Sequence, residues 1–179
     1  VSPLRWVIML APLAFVFFLS FRVYQMSVSA AQVAFWLFAA AMGASLSTIF
    51  LVFTGASITR VFFITAAAFA SLSLWGYTTR KDLSGWGTFL FMGLIGIIIA
   101  ALVNLFLQSS ALQFAVSVMG VLVFAGLTAY DTQRIKDGYY AVVGSAEMAA
   151  KSAIMGALSL YLDFINMFTS LLYLFGERE

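Results

Sequence analysis

Runs of about 20 apolar residues, parted by short polar segments, constrain this chain more than any other feature, because a run of that length matches the thickness of a bilayer's hydrocarbon core. The apolar runs are read as membrane-spanning helices. The chain is 64% apolar over 179 residues with a mean hydropathy of +1.06, against roughly 45–50% apolar in soluble domains. The expectation is an all-α integral membrane protein, a polytopic helix bundle forming one transmembrane domain over residues 1–179. It leaves no room for a soluble domain.

Six transmembrane helices are visible. The first runs from about Trp6 to Phe21 and carries Pro12, a kink that membrane helices tolerate. The second runs from about Ala30 to Phe53, with Ala39, Ala40, Gly43, Ala44 and Ser47 as a small-residue face suited to close packing. The third starts near Ser57 and ends at Trp75-Gly76-Tyr77, aromatic residues suited to a membrane interface. The fourth spans about Trp86 to Leu107, the fifth about Leu112 to Tyr130, and the sixth about Ser152 to Phe175.

Lys and Arg residues fix the orientation. One side receives Arg22, Arg80, Lys81, Arg134, Lys136 and Lys151, the other Arg5, Arg60 and Arg178, so the first side is expected to be cytoplasmic. Both ends of the chain as given would then lie outside, and a further helix before Val1 would return the N-terminus to the cytoplasm. Arg80, Lys81, Arg134 and Lys136 read as topology determinants, and Glu177 to Glu179 as a solvated tail.

There is no cysteine and no histidine. Thiolate chemistry, disulfides and sulfur- or imidazole-ligated metals are therefore excluded, and any response near neutral pH falls to carboxylates. Two of these stand out. Asp163 lies inside ALSLYLDFINMF, an otherwise ordinary membrane-spanning run, and Asp131 ends the preceding apolar run in Ala129-Tyr130-Asp131-Thr132-Gln133. An ionised acid at membrane depth costs a few kcal/mol on insertion scales and usually marks an ion or proton path. The midpoint of the two is Glu147, within the least apolar part of their connection, Arg134 to Lys151. In an antiparallel hairpin turning there, with about 1.5 Å of rise per residue, the aspartates come level.

Spacing on the last helix places Asp163 inward. Ser152, Gly156, Ser159, Asp163, Asn166 and Ser170 recur at helical intervals and draw one small or polar stripe. Such a stripe also serves plain helix packing, and for its Ser and Gly members both readings stand. Thr128, with Ser117 and Gly120, leads towards Asp131 on a comparable face, and Asn104 is either a cavity-lining residue or an interhelical bond.

Two carboxyls within hydrogen-bond reach in a poorly solvated place hold one proton between them. That proton clamps two helices; its loss leaves two charges that repel each other and attract a divalent cation with oxygen ligands. The expected behaviour is a gate, shut when protonated and permissive to Ca²⁺ when deprotonated, with Asp131 and Asp163 as transient Ca²⁺ ligands. A stabilising acid–acid hydrogen bond without transport is the plainer alternative.

Met42-Gly43 with SLSTIF, Gly76 to Ser84 (GYTTRKDLS), MGLIGIIIA from Met92, GVLVFAGLTAYDTQRIK from Gly120 and GALSLYLDFINMF from Gly156 together resemble the bacterial branch of the Bax inhibitor, or transmembrane Bax inhibitor motif, family. The similarity covers nearly the whole chain. It implies seven helices with the last one central, so that the family's first helix is missing here, and a bacterial inner-membrane, multi-pass location. It further implies that the aspartates matching Asp131 and Asp163 are a proton-sharing, pH-sensing pair linked to a calcium leak, and that an early helix supplies an arginine latch, for which Arg22 lies in the right region. Some bacterial relatives are linked to modulation of a membrane-embedded ATP-dependent protease, so a regulatory binding protein is the alternative function.

An enzyme reading competes, since intramembrane aspartyl proteases also place two aspartates on consecutive helices, the first after a tyrosine. Here Leu160-Tyr161-Leu162 precedes Asp163 in place of Gly-x-Gly, and no Pro-Ala-Leu motif exists, the only prolines being Pro3 and Pro12. No enzymatic activity, cofactor or nucleic-acid partner is expected. The expected partners are membrane lipid, permeant Ca²⁺ and a membrane protease complex.

Overall fold

The computed structural model describes residues 22, 25–47, 53–142 and 144–176, so the expected first span (Trp6 to Phe21, with Pro12) and the tail from Glu177 to Glu179 lie outside the described residues. Among the described residues the chain forms five α-helices: α1 (Val28–Leu46), α2 (Gly55–Thr78), α3 (Trp86–Leu107), α4 (Ser110–Val142) and α5 (Ala146–Phe175). Four of these, α2 to α5, are long and apolar enough to cross a membrane, while α1 holds a shorter apolar stretch, Val28–Ala44. Of the six spans expected, the described residues therefore support four.

Local chemistry sets the helix ends. The Ser27 hydroxyl accepts the Ala30 N–H at 3.1 Å, and Thr54 accepts that of Ser57 at 3.2 Å, each satisfying a donor left open at a helix start. Between α3 and α4 the chain turns at Gln108, in the left-handed region at φ 50°, where the Asn104 side chain accepts the Ser109 N–H at 2.8 Å. Ser109 then caps α4 by accepting from Leu112 at 3.2 Å, and Ser145 caps α5 by accepting from Met148 at 3.3 Å.

Two boundaries differ from the sequence reading. The second span was expected from Ala30 to Phe53, but its helix begins at Val28, behind the Ser27 cap, and ends at Leu46. The polar connection expected between Arg134 and Lys151 is mostly helical: α4 continues to Val142 and α5 begins at Ala146. Gln133, Arg134, Lys136, Met148 and Lys151 are good helix formers, so falling hydropathy marks where the helix leaves lipid and not where it stops.

The chain divides into two units, Val1–Val52 with Asp137–Leu158, and Phe53–Lys136 with Ser159–Glu179. In the first, α1 buries Ala31, Ala34 and Phe38, one helical face, and Lys151 is buried with its Nζ 2.9 Å from Glu147 one turn earlier. The second contains α2, α3, most of α4 and the last part of α5.

In that second unit α2 and α5 are joined by aromatic rings in edge-to-face contact. Phe164 lies 5.6 Å from Phe62 and 5.4 Å from Phe69, and Phe168 lies 6.0 Å from Phe62, between centroids. Such pairs contribute about 0.5–1.5 kcal/mol each beyond the area they bury. Small residues let α4 approach its neighbours. A Cβ at Gly76 of α2 would meet the Ala129 Cα at 2.9 Å, and one at Gly120 of α4 would meet the Ser170 hydroxyl of α5. With lipid outside, this close van der Waals packing replaces the hydrophobic effect as the force holding helices together. Helix α3 buries Leu90 against Gly126 of α4 and carries no ionisable side chain. Lower down the same pair an apolar groove of about 230 Å³ opens between Gly93, Gly96 and Ala100 of α3 and Ala115 and Met119 of α4.

Candidate functional site

Asp131 and Asp163 meet inside the second unit. Both are buried, at 6% and 4% exposure, and their carboxyl groups are within hydrogen-bonding reach of each other. Passing from Gly120 to Asp131 along α4 corresponds to passing back from Ser170 to Asp163 along α5, so the two helix segments are antiparallel here. Helix α4 ends at Val142 and α5 begins at Ala146, a connection closer to Asp131 than to Asp163 in sequence. Equal depth counted from a turn at Glu147 is therefore not what aligns them.

The Gly76–Ala129 contact locates the pair along α2: Asp131 lies two residues beyond Ala129 on α4, and Trp75 and Tyr77 flank Gly76.

Asp163 Oδ2 is buried and has no hydrogen-bond donor among the described residues. Two carboxylates offer only acceptors, so the pair completes its hydrogen bonding when one member carries a proton. A cation also touches the pair: Arg134 Nη2 donates to Asp131 Oδ1 at 3.2 Å, one turn along the same helix, and its guanidinium lies 5.9 Å from the Tyr130 ring. The sequence reading treated Arg134 as a topology determinant. The signal that identifies its second role is the three-residue interval from Asp131, which puts both on one helix face.

The other candidates divide. Thr128 is fully buried one turn from Asp131 on α4, with its hydroxyl donating to the Phe124 carbonyl at 2.7 Å, and Asn166 on α5 donates to the Leu162 carbonyl at 2.7 Å. Ser159 is half-buried on α5, one turn before Asp163. Asn104 lies at the other end of α3, where it caps the turn and reaches Gln113 at 3.5 Å, so it is apart from the acids. Arg22 is exposed and belongs to the first unit.

Among the described residues there is no group of three or more Asp, Glu, His or Cys side chains placed to hold a metal. Calcium takes six to eight oxygens. Asp131 and Asp163 alone supply at most four carboxylate oxygens.

Residues 1–179 match the family described as inhibitor of apoptosis-promoting Bax1. The chain is 51% identical over 175 residues to an uncharacterised protein of Rickettsia prowazekii, covering 97% of this chain and 73% of that one. It is 49% identical over 173 residues to the inner membrane protein YbhL of Escherichia coli K12, covering 96% and 74%, and 48% identical over 179 residues to a protein of Caulobacter vibrioides, covering 100% and 72%. The match runs the full length of the chain and takes in both aspartate segments, and the chain belongs to the Bax inhibitor family of membrane proteins.

Proposed function

We propose that this multi-pass inner-membrane protein is a pH-responsive cation leak, with Ca²⁺ as the permeant ion, gated by a proton shared between Asp131 and Asp163. The observation that supports this most is the buried Asp163 Oδ2, without a donor and facing a second buried carboxyl. With one proton present, the carboxyl–carboxylate hydrogen bond ties α4 to α5. Without it, two unit charges about 4 Å apart repel by about 4 kcal/mol at an effective dielectric of 20. That exceeds a typical hydrogen bond's net contribution of about 1 kcal/mol, so losing the proton reverses the sign of the contact.

The charged groups facing Asp163 from α4 are Asp131 and Arg134. Helix α3 contributes none, and α2 carries a single ionised residue, Arg60, in its second turn at the far end. Arg134 compensates part of the charge left by deprotonation and keeps the open state from collapsing into a fully repulsive site. The paired carboxylates then offer oxygen ligands at the cytoplasmic mouth, where a divalent cation is dehydrated only in part.

The test is Ca²⁺ entry into dye-loaded liposomes from about pH 6 to pH 8, the range in which a coupled acid pair can titrate. The wild-type chain should show a flux that rises with pH, and the variant carrying Asp131→Asn and Asp163→Asn should lose the pH dependence. A pH-dependent flux that survives in that double variant rejects the mechanism. A regulatory role through binding another membrane protein, for which the small-residue groove between α3 and α4 is the suited surface, predicts instead that the double variant still binds.

A further inference from the structure

The rim of the second unit at the α2–α3 loop carries four cations and four aromatic rings in one arrangement. Lys81 Nζ lies 5.5 Å from the centre of the Trp86 ring, and Trp86 stacks on Trp75 with centroids 5.9 Å apart and planes at 26°. Lys136 Nζ donates to the Tyr77 carbonyl at 2.7 Å and lies 4.9 Å from the Tyr77 ring. Arg134 lies over Tyr130, and Arg80 is exposed beside Lys81. Gln133 fixes the loop to α4: its side-chain carbonyl accepts the Leu83 N–H at 2.8 Å and its amide donates to the Lys81 carbonyl at 2.8 Å.

The positive-inside rule explains the sign of these charges. It does not explain why two lysines, each rich in rotamer entropy, are held against rings and backbone instead of waving in water. The one acid of the loop, Asp82, turns its carboxylate back to the Ser84 N–H at 3.0 Å. The rim therefore presents positive charge outward, framed by Trp75 and Tyr77, which are 42% and 54% exposed, rings of the amphipathic kind that favour a membrane interface.

We propose that this rim binds the headgroup of an anionic phospholipid of the cytoplasmic leaflet, with Lys81, Lys136 and Arg80 on the phosphate and Trp75, Trp86 and Tyr77 against the glycerol region. A phosphodiester supplies the acceptors that ammonium donors lack, and a diacyl lipid places them at the depth of the aromatic belt. The site uses none of the atoms of the Asp131–Asp163 pair and stands whichever ion crosses the protein.

Native mass spectrometry of the full chain in detergent, with phosphatidylglycerol and phosphatidylcholine of matched acyl chains in equal amounts, reads the site directly. The wild-type chain should retain phosphatidylglycerol preferentially. Lys81→Gln and Lys136→Gln should each lower that preference about five-fold, the loss expected for one cation near an anionic surface. Lys81→Arg with Lys136→Arg should keep it, which separates lost charge from lost folding. Equal retention of the two lipids by the wild-type chain, or a Lys81→Gln, Lys136→Gln double variant with the wild-type preference, overturns the proposal. Displacement of the lipid by inorganic phosphate also overturns it, by assigning the rim to a soluble anion.

Discussion

Arg134 reaches back one helical turn to Asp131, with Nη2 3.2 Å from Oδ1, so the buried aspartate pair has a guanidinium on its flank as well as a carboxyl at its face. The arrangement is asymmetric: Arg134 bonds Asp131 directly and acts on Asp163 through its charge alone.

Replacing Arg134 by Gln removes the charge that favours the deprotonated pair. The Ca²⁺ flux curve in liposomes should move to higher pH, and the flux at neutral pH should fall. A curve that stays in place, or moves to lower pH, would show that Arg134 is not electrically coupled to the pair.

Gly76 allows α2 to lie directly on the α4 backbone two residues before Asp131. Gly76→Val should force the helices apart at a cost of about 1–3 kcal/mol, the usual range for overpacking, and lower the melting temperature in detergent. Gly96→Ala, where an added Cβ meets nothing within 4 Å, should leave it unchanged or slightly raised. Equal effects from the two would contradict the close approach seen at Gly76.

The α2–α3 loop depends on Gln133. Gln133→Ala removes two side-chain bonds to loop backbone, to Leu83 and Lys81, and leaves the Leu83 N–H without its acceptor. Hydrogen exchange at the Leu83 amide should quicken by about ten-fold, as expected for losing a bond of about 1 kcal/mol or slightly more. Unchanged exchange would mean the loop is held by other contacts.

Asp82 serves as an internal control on pH. The Ser84 backbone N–H, and then its hydroxyl, hold the Asp82 carboxyl below its ordinary 3.8. A depressed value contributes loop stability that is present above the unfolded value and lost only as pH falls through the folded one. Near neutrality Asp82 stays ionised throughout, so Asp82→Asn should leave the flux curve between about pH 6 and pH 8 in place. A displaced curve would transfer the pH response from the aspartate pair to the loop.

The aspartate pair could be read from the sequence because a charge inside an apolar run has few explanations, and the Asp163 stripe pointed it inward. The α2, α3 and α5 spans were legible from apolar length. What hydropathy could not show is where a helix ends after leaving lipid: α4 runs on through Gln133, Arg134 and Lys136 to Val142 because those residues favour helix in water as well. Reading Arg134 only as a topology determinant concealed its bond to Asp131, which depends on helix face. Asn104 was ambiguous because an amide near a helix end can cap or line a cavity, and only the Ser109 contact decides for the cap.

The most direct measurement is infrared titration of the reconstituted chain, following the carbonyl stretch of a protonated carboxyl between about pH 6 and pH 8. The wild-type chain should show one buried protonated carboxyl that disappears as pH rises, with the signal absent in Asp131→Asn with Asp163→Asn. A chain without that signal across the range, or one whose signal persists in the double variant, would contradict a proton shared between Asp131 and Asp163.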